Sequence, residues 1–243
     1  MKKIVSGLAA TAALALATPA LADPITLDST DVGSSFMINF DGFASEATNT
    51  VDDLTSSITF TLQSVTGSAY TFGYAVDNTT SGDVTSNISS FAFNVDPDIS
   101  SASVNGAYSY SFVTDGRASD PRYPNQIGAV DVCFKAANSG SCSNGGGVSE
   151  GSTGTGTLSL LFDPDAAEIT LSDFFVRYQG ITGAGGVTSA SGQSISSTGS
   201  TSGGTPVPAP GMIGLLALGL VGVGLVRRRR RNGEAGFGQP VYA

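Results

Sequence analysis

The chain has 243 residues and a formal net charge of −9, with 20 acidic residues, 11 basic residues and no histidine. Between Asp23 and Pro210 there are four basic residues against nineteen acidic ones, which leaves a net charge of −15 for this part. Such a surface repels nucleic-acid phosphates and anionic lipid headgroups, which excludes a nucleic-acid-binding protein, and the lack of histidine excludes Ser-His-Asp and Cys-His catalytic arrangements.

The N-terminus has the order of a secretory signal peptide. Lys2 and Lys3 form a charged start, Ile4–Thr18 is apolar, and Ala20-Leu21-Ala22 matches an A-x-A cleavage site. A retained N-terminal membrane helix is disfavoured, because the apolar run is short and polar residues follow it at once. We therefore predict that residues 1–22 are removed at Ala22 and that the mature chain begins at Asp23.

Apolar and polar residues alternate along most of the segment 23–181. A period of two is typical of strands with one buried and one solvated face, and the threonine, valine and aromatic residues here favour strands. The alternating sets are Phe36-Ile38-Phe40, Ile58-Phe60-Leu62, Tyr70-Phe72-Tyr74-Val76, Phe91-Phe93-Val95, Tyr108-Tyr110-Phe112, Val130-Val132-Phe134, Leu158-Leu160-Phe162 and Phe174-Val176-Tyr178. Many short strands with turns between them predict an all-β fold, an antiparallel β-sandwich or jelly-roll-like domain over 23–181.

Two Asp-Pro-Asp segments, 96–98 and 163–165, lie in predicted turns. Carboxylates clustered in loops are ligands that calcium prefers, so calcium is one hypothesis for these segments. Asp-Pro also initiates turns by itself, and neither segment matches an EF-hand loop or a glycine-aspartate nonapeptide repeat. We favour plain turns and predict no metal site.

Paired carboxylates are the remaining candidates for catalysis, since a glycosidase needs only two of them. The candidates are Asp52, Asp53, Asp163, Asp165 and Glu168. Acidic residues at turns are usually solvated or capping, and glycosidase sites also use aromatic platforms, whereas this chain has no tryptophan. We therefore predict no catalytic residues, no cofactor and no enzymatic activity.

The chain contains two cysteines, Cys133 and Cys142. In an exported protein they are predicted to form one disulfide that closes a short loop. A redox or metal-binding pair is disfavoured, because the spacing is not C-x-x-C and no histidine completes a common zinc site. We expect the disulfide to staple a turn.

The tyrosines are candidates for a second function, carbohydrate binding. The set that would contact sugars is Tyr70, Tyr74, Tyr108, Tyr110 and Tyr123. Most of them share the alternating register of the phenylalanines, which favours core positions. Tyr123 lies in a predicted loop between two prolines, and we expect it to be the best exposed contact.

Two segments, Ser139–Thr157 and Thr182–Thr205, consist largely of glycine, serine and threonine. We interpret the first as a long mobile loop between strands. The second lacks the apolar residues that would offset the entropy of ordering, so it predicts a flexible linker over 182–205.

The region 206–231 combines a proline motif, an apolar run and a basic cluster. The motif consists of Val207, Pro208, Ala209, Pro210 and Gly211. The cluster consists of Arg227, Arg228, Arg229, Arg230 and Arg231. Between them, Met212–Val226 predicts a single C-terminal transmembrane helix, and the arginines form a stop-transfer cluster that leaves residues 232–243 in the cytoplasm. Fifteen apolar residues fall short of the ~20 that span a hydrocarbon core, which favours a transient anchor over a permanent one.

This C-terminal region resembles the sorting region of PEP-CTERM proteins. Pro208 and Pro210 match the two prolines of the family motif, and Ala209 stands where the family usually has glutamate. The acidic, β-rich body with one cysteine pair is similar to the cistern subgroup of that family. The resemblance implies export across the inner membrane of a Gram-negative bacterium, processing by a membrane protease called exosortase, and association with exopolysaccharide and the biofilm matrix.

From these features we expect an exported structural protein of the cell surface or extracellular matrix, anchored in the membrane at least transiently. The expected partners are the exosortase, the membrane and exopolysaccharide. The alternative is a carbohydrate-binding or adhesive surface module that calcium stabilises. A plain C-terminal anchor that is never processed is the alternative for the tag.

Overall fold

The computed structural model describes residues 24–114, 122–138, 142 and 145–200. Within them the chain is all-β, as predicted, with one turn of 3-10 helix at Ser29–Asp31. The strands are β1 Ile25–Asp28, β2 Ser35–Phe43, β3 Thr50–Thr66, β4 Ala69–Asn78, β5 Thr85–Asp96, β6 Ser101–Gly106, β7 Tyr110–Val113, β8 Val132–Lys135, β9 Val148–Ser149, β10 Thr153–Leu161, β11 Glu168–Thr182 and β12 Ser189–Ser200.

The predicted signal peptide, sorting region and cytoplasmic tail lie outside the described residues. So does the predicted transmembrane helix. Within the described ranges, no helix combines the length and the hydropathy that a membrane crossing needs.

The strands pair antiparallel in one sheet, in the order β6-β10-β4-β3-β2-β12-β11-β5-β8-β7. β1 pairs with β11, and β9 pairs with β5, beside this path. The two ends of the path approach each other, because the hydroxyl of Ser111 in β7 donates to the backbone carbonyl of Ala102 in β6 at 2.6 Å. The sheet is therefore nearly closed around its interior.

The interior is packed with aromatic side chains, and Phe60 lies among several of them. Its ring centroid is 5.2 Å from that of Phe36, 5.9 Å from Phe91, 6.0 Å from Phe93 and 5.8 Å from Phe174. β3 and β5 are not neighbours in the sheet, so the contacts with Phe91 and Phe93 cross the interior. Alternation explains this packing, since every second residue of β3 from 54 to 62 and of β4 is buried.

The turn between β3 and β4 shows how sequence sets the register. Thr66 pairs with Ala69, so only Gly67 and Ser68 form the loop. Gly67 has a φ of 56°, which is the conformation that the first central residue of a tight hairpin turn requires and that glycine adopts without strain.

A second, smaller apolar cluster lies on the outer face of the sheet. It contains Ala92 of β5, Cys133 of β8, Cys142, and Tyr123 and Val130 from the segment 122–130. The outer face here is not solvated, because that segment folds back across the sheet and covers it. Two strands of the alternating pattern are also shorter than expected, since Tyr108 and Val130 precede β7 and β8 instead of lying in them.

The interpretation of 182–205 as a flexible linker is wrong for Ser189–Ser200, which form β12. This strand lies between β11 and β2 in the middle of the sheet, so the domain continues to Ser200 and does not end at Ile181. At Gly192 the absence of a side chain reflects lack of space, since a Cβ there would lie 2.7 Å from Cγ2 of Val176. Backbone pairing on both edges orders the first half of β12 without large apolar side chains.

The interpretation of Ser139–Thr157 as one long loop is wrong in the same way. β9 and the first residues of β10 lie inside it. Gly154 and Gly156 of β10 pair with Val76 and Tyr74 of β4. A Cβ at Gly156 would lie 2.6 Å from the ring carbon that bears the hydroxyl of Tyr74, so the pairing again requires glycine.

Candidate functional site

The residues predicted for sorting and cleavage lie outside the described part of the chain. They are Ala20 and Ala22, Val207–Gly211 and Arg227–Arg231. The end of β12 at Ser200 nevertheless shortens the stretch of sequence between the domain and the predicted sorting region. Only residues 201–205 separate the last strand from the predicted sorting region that begins at Pro206, instead of the 24 residues of the predicted linker.

The predicted disulfide between Cys133 and Cys142 is present, with the two Cα atoms 6.1 Å apart. Both cysteines are fully buried in the outer cluster. The hydroxyl of Ser90 in β5 donates to the carbonyl of Cys142. The disulfide therefore closes a short loop, as predicted, and it also holds residue 142 against the outer face of β5 and β8.

Replacing both cysteines by alanine is expected to lower the free energy of unfolding by about 2–3 kcal/mol, because the unfolded chain gains the freedom of an open loop. Alanine avoids the buried, unpaired hydroxyl that serine would introduce. Urea unfolding followed by circular dichroism measures this loss. Treatment of the unmodified protein with a reductant is the control, and equal stability of the oxidised and variant proteins would contradict the expectation.

The tyrosines considered for sugar contacts are mostly core residues. Tyr70, Tyr74 and Tyr108 are buried, whereas Tyr110 is 39% exposed. The expectation of an exposed Tyr123 is wrong, since this side chain is 1% exposed and its hydroxyl lies 3.2 Å from Oγ of Ser90. Tyr123 lies in a loop, as predicted, but its side chain packs into the outer cluster against β5 and β8.

Burial raises the pKa of the phenols of Tyr70 and Tyr74. It raises the pKa most strongly for Tyr108, Tyr123 and Tyr178, because a phenolate has no water in these positions. In the unfolded chain the same groups ionise near pH 10. Their folded pKa values are raised, so their contribution to stability is complete below pH 10 and is lost as the pH rises above it.

We therefore expect cooperative unfolding in alkali, beginning above about pH 10. The free energy of unfolding should fall by about 1.4 kcal/mol for each pH unit and for each buried tyrosine. Phenolate absorbance and circular dichroism, recorded together, measure it. The variant Tyr178→Phe removes one of these groups, so its free energy of unfolding is expected to fall less steeply with pH than that of the unmodified protein. Ionisation of all tyrosines without a change in secondary structure would contradict this expectation.

Burial of the cations makes the surface more acidic than the composition indicates. Of the three basic residues in the described ranges, Lys135 and Arg177 are buried and Arg122 is exposed. The ammonium of Lys135 lies 5.9 Å from the ring centre of Phe112. Nη1 of Arg177 donates to Oδ1 of Asn125 at 3.1 Å, which anchors the covering segment. None of the sixteen carboxylates in these ranges is buried.

The two Asp-Pro-Asp segments lie at the same end of the sheet, in the connections β5–β6 and β10–β11. Among the described residues, no group of three or more carboxylate or thiol side chains is arranged to hold a metal ion. Asp52 and Asp53 lie at the opposite end of the sheet from Asp163 and Asp165, so these candidate carboxylates do not converge.

A cleft of about 340 Å³ opens at the end of the sheet where β2 turns into β3 and β11 turns into β12. Its apolar wall consists of Ala44, Val51, Val84, Ala184 and Val187. Its polar side consists of Asn49, Thr50, Asp52 and Asp53. None of the described residues that line it is basic.

An irregularity in β3 shapes this cleft. The register is fixed on either side by the pairs Asp41 with Thr55 and Phe43 with Thr50. Residues 51–54 of β3 therefore face Gly42 alone, and Leu54 turns inward over this glycine, where a Cβ would clash. Asp53 takes a φ of 64°, and both Asp52 and Asp53 are exposed at the cleft. A bulge of this kind redirects side chains that alternation would otherwise place elsewhere.

Asp52 and Asp53 were visible in the sequence as neighbouring carboxylates, but the apolar wall opposite them was not. Val84 and Val187 come from distant connections, and only the fold brings them together.

Comparisons of the chain with protein-family models, with curated proteins and with solved structures find no match.

Proposed function

We propose that this chain is an exported structural protein of the cell surface or exopolysaccharide matrix of a Gram-negative bacterium, without catalytic activity, that an exosortase sorts. The observation that carries this proposal is the order of proline motif, apolar run and arginine cluster in 206–231. A disulfide and an acidic, strand-rich domain are compatible with a protein located outside the inner membrane.

We further propose that the nearly closed sheet is a two-layer sandwich of jelly-roll type. One layer consists of β6, β10, β4, β3 and β2, and the other of β12, β11, β5, β8 and β7. The ring contacts of Phe60 with Phe91 and Phe174 support this arrangement, because they join strands of the two layers. In the same proposal, Met212–Val226 is a C-terminal transmembrane helix and the linker that precedes its motif is short.

A short connection has a mechanical consequence for sorting. Twelve residues lead from Ser200 to Met212, which span at most about 40–43 Å when fully extended. The domain is then held near the membrane until the motif is cleaved. Its surface carboxylates repel anionic headgroups, which leaves room for a membrane protease to reach the proline motif.

The test is the intact mass of the mature protein from separated membrane and extracellular fractions of an expressing bacterium. The proposal predicts a product that begins at Asp23 and ends between Val207 and Gly211. A product that keeps Arg227–Arg231 and ends at Ala243, found only in membranes, would leave an unprocessed anchor and contradict sorting.

Two variants sharpen this test. Pro208→Ala together with Pro210→Ala is expected to abolish the processed species, whereas Ala209→Glu, which restores the family residue, is expected to increase it. Both changes lie outside the described domain, so circular dichroism of the domain serves as the control for folding. Equal processing in all three proteins would sink the assignment of the motif.

A carbohydrate-binding or adhesive surface module remains the second candidate function, with calcium as its stabilising ion. The cleft at Asp52 and Asp53 favours it, because it has the size of a small-molecule site. The tyrosines favour it less, because of the five considered only Tyr110 is exposed. Glycan-array binding with and without calcium separates this candidate from a purely structural role.

A further inference from the structure

The cleft combines an apolar wall with exposed carboxylates. Its volume of about 340 Å³ lies at the lower end of the roughly 300–1,000 Å³ typical of small-molecule sites. Val84 belongs to the main core, and Val51 and Val187 pack against that core, so the wall is continuous with the packed interior of the domain. Sites of this kind are mostly apolar, with a few placed polar groups that orient the ligand.

The backbone holds the negative rim in an unusual conformation. Asp53 has a left-handed φ of 64°, and its carbonyl accepts a hydrogen bond from the amide of Ser81 at 3.0 Å. Its carboxylate lies against Gly82, where a Cβ would be 2.9 Å from Oδ2. A non-glycine residue with this φ is uncommon, although aspartate and asparagine adopt it more readily than most, and such residues cluster at sites where the position of the side chain matters.

We propose that the cleft binds a compact organic cation, a protonated primary amine carried on an aliphatic ring or short chain. The ammonium pairs with Asp52 and Asp53, and the carbon skeleton lies on the valines. Anions are repelled by the same carboxylates. A bare calcium ion requires six to eight oxygen ligands, and the apolar wall supplies none. Binding in this cleft is independent of how the chain is sorted.

The test titrates the full-length protein, in non-ionic detergent and with methyl-labelled valine and alanine, with cyclohexylamine and with D-glucosamine. Cyclohexanol and N-acetyl-D-glucosamine are the neutral counterparts. The expected result is a shift of the Val51, Val84 and Val187 methyl resonances by an amine at concentrations where its neutral counterpart has no effect. Binding of glucosamine identifies an amino sugar as a source, and binding of cyclohexylamine alone identifies an aliphatic amine; either result supports the proposal.

The variant Asp52→Asn with Asp53→Asn removes both charges. Asparagine tolerates a left-handed φ, so the bulge is preserved, and thermal unfolding checks it. We expect roughly tenfold weaker binding of the amine. The matched control, Asp98→Asn with Glu168→Gln, removes two exposed carboxylates at the opposite end and leaves the affinity unchanged. Unchanged affinity in the cleft variant, equal binding of the neutral counterparts, or no methyl shifts with either amine would overturn the proposal.

Discussion

A chain that ends at Thr182 is expected to lose cooperative unfolding altogether. It lacks β12, so β2 and β11 lose their shared neighbour in the middle of the sheet and the core opens between them. Unpaired backbone groups and exposed aromatic rings then cost more than the roughly 5–15 kcal/mol that stabilises a typical domain. Thermal unfolding followed by circular dichroism measures the effect.

The matched control is a chain that ends at Ser202. It keeps β12 and removes only the segment that follows the compact unit containing every described residue. This chain is expected to unfold cooperatively at nearly the temperature of the mature protein. If residues 182–205 were a flexible linker, the two truncated proteins would be equally stable, so their comparison decides between the linker and the strand.

The substitution Phe60→Ala is expected to lower the free energy of unfolding by about 3–5 kcal/mol. Phe60 is 1% exposed, and its ring contacts rings on β2, β5 and β11, so its removal leaves a cavity where the two sides of the core meet. For a domain of this size the melting temperature should fall by about 6–20 °C. Urea unfolding gives the free energy directly.

Phe112→Ala is the control for this substitution. Phe112 is only partly buried and lies against the outer cluster, so the same truncation removes fewer contacts. We expect a loss of less than half that of Phe60→Ala. Equal losses in the two variants would mean that the main core does not lie where Phe60 meets Phe91 and Phe174.

The cleft shows how far a single sequence leads toward a site. The run Val51-Asp52-Asp53-Leu54 interrupts the alternation of β3, and this interruption is a readable signal of a bulge. The opposite wall has no such signal, because Val84 and Val187 belong to separate connections. Nothing in a local pattern relates residues that only the closing of the sheet brings together.

The sequence by itself determined the all-β class, the inward register of residues such as Phe60 and Tyr74, the disulfide and the acidic surface. These follow from alternation, composition and compartment, which are local properties of the chain. Only the tertiary structure decided that Ser189–Ser200 form a strand and that Tyr123 is buried. A strand of small residues is ordered by backbone pairing, and at Gly192 the neighbours leave no room for a side chain. Neither cause can be seen in the side chains of the strand itself.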